Sequence, residues 1–405
     1  MSQSRRALRA AVFISAVALV ASACGGASGS ESDPTTTVGP TTTAAPSTTV
    51  APTTTTVVEE GLAAVAPDLE AELTSWIAEY EVGGAVLAVS APGEDTLVIP
   101  VGVSNKAEGT PISGDDYFRI GSVTKMTTVT MLLQLQEEGL LDLDTPLVEL
   151  LPSWADRDFG EGAAITPRML LNHTTGMIAY ELDSDFSSLT LGRLTQEWQP
   201  DEIIDFALGK GLLFEPGTEW SYGTTTYLLA GQLVEELTGN TADQELAARV
   251  LNPLGMTETY LPPAQQPPKP VVSGYYDLAG TGEETAVVTA LPQAALQSAG
   301  WTGGGLESQV TDLIKLLPGI VDGGLLTAES LAEMSTPALD TDYGLGVNVA
   351  PIAGYDAWWH GGGVPGFRTA HAYFPDSGVS IGLVSNSTGP DVWGYIERAA
   401  KLILG

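Results

Sequence analysis

The nine residues Tyr117-Phe118-Arg119-Ile120-Gly121-Ser122-Val123-Thr124-Lys125 decide how this chain is read. Tyr117 to Gly121 is strand-like, Gly121 marks a bend, and a helix runs from Ser122 to Glu138 before Gly139. Residues i and i+3 share a helix face, so the Lys125 amine can lie beside the Ser122 hydroxyl, while the helix N-terminus adds N–H groups and positive potential. A serine hydroxyl needs a base to become a nucleophile, and a neutral amine on an apolar face with Val123, Met126 and Val129 can be that base. A solvent-facing Ser and Lys one turn apart would look the same. Context favours the chemical reading: the chain has six Lys, and Lys125 alone has Ser three positions before it.

Outward from this segment, the chain divides by composition. Residues 1–23 read as an export signal, with Arg5, Arg6 and Arg9 ahead of an apolar stretch ending in small residues. Cys24 is the only cysteine in 405 residues and follows Ala21-Ser22-Ala23, a pattern resembling a bacterial lipoprotein box in which Ala21 stands where Leu is usual. The expectation is a lipidated, surface-tethered protein, or a secreted one if Cys24 is unmodified. Between Thr35 and Thr56, twelve of 22 residues are Thr, and Pro40, Pro46 and Pro52 bias the stretch towards extended conformations. Residues 24–60 are therefore assigned as lipidated N-terminus and linker, and 61–405 as the folded body. Removing residues 1–23 leaves 13 basic against 50 acidic residues, a net charge of −37. Such a surface disfavours nucleic acid as a partner and confines membrane contact to the lipid anchor.

Within the body, Leu69, Leu73, Trp76, Ile77 and Tyr80 have helical spacing. Strands are expected at Ala85–Ser90, Thr96–Gly102, Asp356–Trp359, Thr369–Phe374 and Val379–Ser385, followed by a helix carrying Val392, Tyr395, Ile396, Ala399 and Leu402. The middle is mostly helical, at Pro167–Leu171, Glu202–Ala207, Thr225–Leu237 and Ala242–Val250. Pro262 to Pro270 returns the chain to the sheet. The fold expectation is α/β plus all-α: a sheet subdomain at about 61–110 and 270–405, and a helical subdomain at about 111–269.

Three further segments carry candidate chemistry. Tyr222, in Trp220-Ser221-Tyr222-Gly223-Thr224, can relay a proton if it faces the cleft, or can be a packed aromatic. His360-Gly361-Gly362-Gly363 ends an expected strand. One reading makes a glycine N–H an oxyanion donor together with Ser122, with His360 donating to substrate; the other makes the segment a tight turn. Arg368 is read either as a carboxylate receptor or as half of a surface salt bridge. His173 is read as loop-organising and His371 as structural. Three dispersed His without clustered acids give no metal site, and Gly303-Gly304-Gly305 reads as a turn, not a dinucleotide fingerprint.

In this order the segments resemble the serine β-lactamase-like family that includes D-alanyl-D-alanine carboxypeptidases, class C β-lactamases and related esterases. The likeness also rests on Leu170 to Gly176, Glu215-Pro216-Gly217, Pro253 to Met256, Gly304-Gly305-Leu306 before Asp312-Leu313, and Val364 to Phe367. It implies the β-lactamase/transpeptidase-like fold, an antiparallel sheet flanked by helices with a helical domain inserted between the chain ends, and a cleft at their junction. By resemblance Ser122 is the acylated nucleophile and Lys125 and Tyr222 are proton-transfer partners. His360 stands in the third-motif position, with Gly362 beside it, and Ser122 and Gly363 N–H groups form the oxyanion hole. No cofactor is implied. The implied substrates are small peptides, esters or β-lactams, with cell-wall D-alanyl peptides as the leading expectation. An esterase or β-lactamase on the same centre, with a rim of Trp220, Trp301 and Trp359, is the alternative; a non-catalytic binding or sensor protein is the third. One departure stands out: the family pattern Tyr-x-Asn reads Tyr222-Gly223-Thr224, replacing an amide with a hydroxyl at a substrate-binding position.

Overall fold

The computed structural model describes residues 61–405 except 152, 153, 155, 156, 158, 160–163 and 278–282. The expected export signal, Cys24 and the Thr-rich stretch lie outside the described residues.

Helix α1 (Leu62–Glu79) leads into strands β1 (Gly84–Ser90), β2 (Leu97–Asn105) and β3 (Thr110–Pro111). The last quarter supplies β4 (Asn348–Val349), β5 (Trp358–Val364), β6 (Phe367–Phe374) and β7 (Val379–Ser385). These seven form one antiparallel sheet in the order β3-β2-β1-β7-β6-β5-β4. Its seam is the β1–β7 pair, with Ala85 opposite Ser385 and Ser90 opposite Ser380. β1 is almost wholly buried because both faces are covered. Ala85, Leu87 and Val89 join a core with Leu69, Leu73 and Trp76 of α1 and Tyr395 and Ile396 of the final helix (Val392–Leu404). Val86 and Ala88 face the opposite way, into a second core that includes Leu313, Ile314 and Leu317 of the helix Val310–Val321.

Between the halves of the sheet lie the helix Thr124–Glu137, the helix Thr225–Thr238 and shorter helices including Pro167–Leu171, Ser184–Gly192 and Pro200–Leu208. Thr124–Glu137 is the central one, buried from Thr124 through Leu133. Its buried hydroxyls do not go unpaired: Thr127 donates to Thr124 O (2.7 Å), Thr130 to Met126 O (2.8 Å) and Thr128 to Thr302 O (2.7 Å). Beyond Pro270 the chain rejoins the sheet side, Val272 N donating to Tyr117 O and Tyr275 N to Asn386 O. This is the β-lactamase/transpeptidase-like arrangement the resemblance implies.

Two details depart from the sequence reading. The run 360–363 is neither a strand end nor a tight turn: β5 passes through all three glycines to Val364 and pairs with β6 throughout, Gly363 opposite Arg368. A glycine run erases side-chain alternation, the signal by which a strand is recognised. Gly303–Gly305 is not a simple turn either, since Trp301–Gly304 forms one turn of helix.

Candidate active site

Two short strands, Phe118–Arg119 and Glu307–Ser308, deliver the chain to Ser122. The buried ion pair from Arg119 Nε to Glu307 Oε1 (3.1 Å) and the bond from Ile120 N to Leu306 O (3.0 Å) hold them. Gly121 takes φ +55°, a left-handed value that turns the strand into a 3₁₀ turn (Gly121–Val123) continuing as the central helix. Ser122 is thereby set, partly exposed, at the start of a buried helix.

Lys125, one turn on, is completely buried. Its Nζ lies 3.2 Å from Ser122 Oγ, 2.7 Å from Gly303 O and 3.4 Å from Thr224 Oγ1. Carbonyl and hydroxyl oxygens at Gly303 and Thr224 accept two N–H bonds, which in the amine form leaves the nitrogen lone pair for the Ser122 hydroxyl. The Tyr222 ring is 4.9 Å from Nζ and the Tyr227 ring 5.2 Å. Burial is thus compensated by three polar contacts and two aromatic faces.

Thr224 occupies the position of the expected Asn. Its hydroxyl accepts from Lys125 and donates to Glu181 Oε1 (2.7 Å), and its backbone N donates to the same oxygen (2.8 Å). With its proton committed to Glu181, the hydroxyl is not a donor towards substrate.

Ser122, Tyr222, Thr224 and Gly363 line one cavity of about 200 Å³. Its apolar wall is Tyr180, Leu182, Phe186, Leu296, Val364 and Pro365. None of the three expected rim tryptophans lines it: Trp359 packs on Trp393 on the far face of the sheet, Trp220 on His173 and Tyr343. Arg368 borders the cavity and donates from Nε to Thr388 O (2.6 Å).

His360 and Gly362 also differ from expectation. Neither lines the cavity. A Cβ on Gly362 would come within 1.9 Å of Ile120 O, so this glycine exists to let β5 touch the Ser122 turn. Gly121 faces the same contact from the other side, its hypothetical Cβ 2.8 Å from Gly363 N. That contact puts the Gly363 backbone beside the turn bearing Ser122. His360 lies buried behind it with both ring nitrogens engaged, Nδ1 at 2.6 Å from Gly361 O and Nε2 at 3.1 Å from Tyr343 OH. A carbonyl can only accept, so Nδ1 carries the proton and Nε2 accepts from Tyr343. Tyr343 in turn accepts from His173 Nε2 (3.2 Å), and His173 Nδ1 accepts from Gly223 N (3.4 Å). His360 is therefore one end of a neutral chain, not a donor to substrate. Burial first, then the Lys125 charge, pushes His360 down to about 3, and the same causes push His173 well below the ordinary imidazole value. His173, at φ +64°, also packs against the Tyr222 ring, with centroids 4.3 Å apart and the planes tilted by 48°.

Sequence reasoning missed Glu181, Tyr343 and the Gly303 carbonyl. Glu181 is one of 50 acids and sits in a three-residue 3₁₀ turn, Tyr180–Leu182; Tyr343 lies 170 residues from His173 and 17 from His360. No group of three or more His, Cys, Asp or Glu able to hold a metal occurs among the described residues.

The β-lactamase family model matches residues 56–404. Penicillin-binding protein 4 of Amycolatopsis lactamdurans is 29% identical over 326 residues, 76% of this chain and 82% of that protein. Esterase EstB of Burkholderia gladioli is 30% identical over 202 residues, 48% of this chain and 51% of EstB. Among solved structures, D-amino acid amidase from Ochrobactrum anthropi SV3 complexed with L-phenylalanine superposes with a TM-score of 0.72 at 26% identity, covering 84% of this chain and 98% of that one. A fold, a Ser–Lys pair with its lysine buried and a match over nearly the whole described body agree, and the chain belongs to the β-lactamase family, the serine hydrolases of the β-lactamase and penicillin-binding-protein type.

Proposed function

We propose that the protein hydrolyses small amides and esters of D-amino acids, cell-wall D-alanyl peptides among them, through an acyl-enzyme on Ser122. The observation that carries this is the position of Lys125 Nζ, 3.2 Å from Ser122 Oγ with its other contacts on Gly303 O and Thr224 Oγ1. The Ser122 oxygen attacks the substrate carbonyl carbon and its proton passes to Lys125. Backbone N–H groups of Ser122 and Gly363 receive the developing oxyanion. As the carbon–nitrogen or carbon–oxygen bond breaks, the proton is delivered to the leaving group through Tyr222. Water then attacks the acyl-serine, giving its proton to Lys125, and releases the acid with Ser122 restored. Ester donors have specific support in the apolar wall from Leu182, Phe186, Leu296, Val364 and Pro365.

Intact-mass measurement after exposure to a penicillin, an acyl-D-Ala-D-Ala peptide and an activated ester tests the reading. A single acyl adduct in the wild type, absent from Ser122→Ala, is expected; turnover that survives Ser122→Ala overturns it. The site also belongs outside the cytoplasmic membrane on this reading, supported by the Arg5–Ala23 signal pattern, Cys24 and the Thr-rich linker. Mass analysis of the N-terminus of cell-derived protein should find residues 1–23 removed and Cys24 acylated. An intact Met1 terminus would refute export.

A further inference from the structure

Glu181 is built into the site in a way the acyl-serine chemistry does not require. The 3₁₀ turn Tyr180–Leu182 brings its side chain to the border of the Ser122 cavity. Oε1 accepts from both the backbone N–H and the hydroxyl of Thr224, at 2.8 and 2.7 Å. Two donors from one residue anchor that oxygen. Oε2 is buried and accepts no hydrogen bond from the described protein. A buried carboxylate oxygen left without a donor is costly, and native proteins keep few such groups.

The clamp is tied to the departure at Thr224. An Asn side chain offers an N–H₂ donor and a carbonyl acceptor. Here that position contributes a hydroxyl whose proton is given to Glu181 and whose lone pair receives Lys125. The amide's donor is gone from this side of the cavity, and a carboxylate, which only accepts, stands in its place. A substrate carbonyl finds no partner there and meets negative charge; a substrate ammonium finds a charge-assisted acceptor beside the apolar side chains of Tyr180, Leu182 and Phe186.

We propose that Glu181, held by Thr224, receives the protonated amine of the acyl group, so that the site takes α-amino-acid amides and esters with a free ammonium group in preference to their N-acylated counterparts. This rests on the acyl-serine reading and orders its substrates, placing free-amine amides and esters above the N-acylated D-alanyl peptides of the cell wall.

The test compares kcat/KM for D-alanine p-nitroanilide and N-acetyl-D-alanine p-nitroanilide in the wild type, Glu181→Gln and Ser122→Ala. The wild type should prefer the free amine by about tenfold or more, and Glu181→Gln should bring the ratio near one, whatever it does to absolute rates. The ratio should also fall as pH rises past about 8, where an α-amino group loses its proton. That second measurement uses the wild type alone and holds if Glu181→Gln fails to fold. Equal use of both substrates, preference for the acetylated one, an unchanged ratio in Glu181→Gln, or a ratio indifferent to substrate ionisation would each overturn the assignment. Ser122-dependent turnover without amine preference removes this inference and leaves the acyl-serine reading standing. Turnover that persists in Ser122→Ala, or no turnover of either substrate by the wild type, removes both.

Discussion

Around Lys125, the base of the proposed mechanism, burial, two oxygen acceptors and a serine hydroxyl are arranged about one nitrogen. Lys125→Met keeps the volume and removes the proton acceptor; kcat should fall by at least about 10³-fold with little change in KM, read by steady-state kinetics. Tyr343 is a positioning residue, joining His173 on one wall to His360 on the other. Tyr343→Phe should lower kcat about tenfold or more while KM holds, because the walls bearing Tyr222 and Gly363 lose their common tie. An unchanged kcat would show the chain to be packing alone. The buried imidazoles also set a pH response. His360 and His371 are both pushed to about 3, His371 by burial alone, so the unfolded chain binds protons that the folded one refuses between the ordinary value near 6.5 and 3. Stability is therefore full above about pH 6.5 and falls as pH drops, by about 2 kcal/mol per such His at pH 5. Urea titrations at pH 7.5 and 5 should show a smaller loss in His371→Gln than in the wild type.

At the level of elements, β5 carries the least legible part of the site. Ser122 and Lys125 could be picked out because a helix start and a three-residue spacing are local properties, and because Lys is scarce in this chain. β5 was readable only to Trp359. Its glycines have no side chains to alternate, and their purpose, contact with Ile120 O and Gly121, is a tertiary fact. The same blindness misplaced His360, whose partner Tyr343 precedes it by 17 residues in sequence and joins it only through the fold. Glu181 was invisible for a different reason: its role is created by the hydroxyl and N–H of Thr224, neither of which marks an acid in advance. Gly362→Ala puts these contacts to the test. With a Cβ 1.9 Å from Ile120 O, the strand must retreat from the Ser122 turn. Activity should fall by about 10²-fold or more, since a shift of about 1 Å is enough to misalign reacting groups. Thermal melting will report how much of the loss is stability.

Taken whole, the molecule closes on itself. β1 and β7 are neighbours across the centre of the sheet, and the final helix packs Tyr395 and Ile396 into the core that α1 begins. The final helix buries Val392, Tyr395, Ile396, Ala399, Ile403 and Leu404. At roughly 1.5–3 kcal/mol for each of the larger side chains, that burial is comparable with the whole stability of a domain, about 5–15 kcal/mol. A chain ending at Pro390 should therefore show no cooperative melt and rapid proteolysis; a native-like melt would contradict the packing described. The seam also has a consequence in time. During synthesis β1 waits for a partner nearly 300 residues away, and the β5 backbone that abuts Ser122 is itself among the last strands made. On the proposed mechanism the nascent chain carries Ser122 and Lys125 long before it has the Gly363 backbone, so acylation waits until the ribosome has almost finished with it.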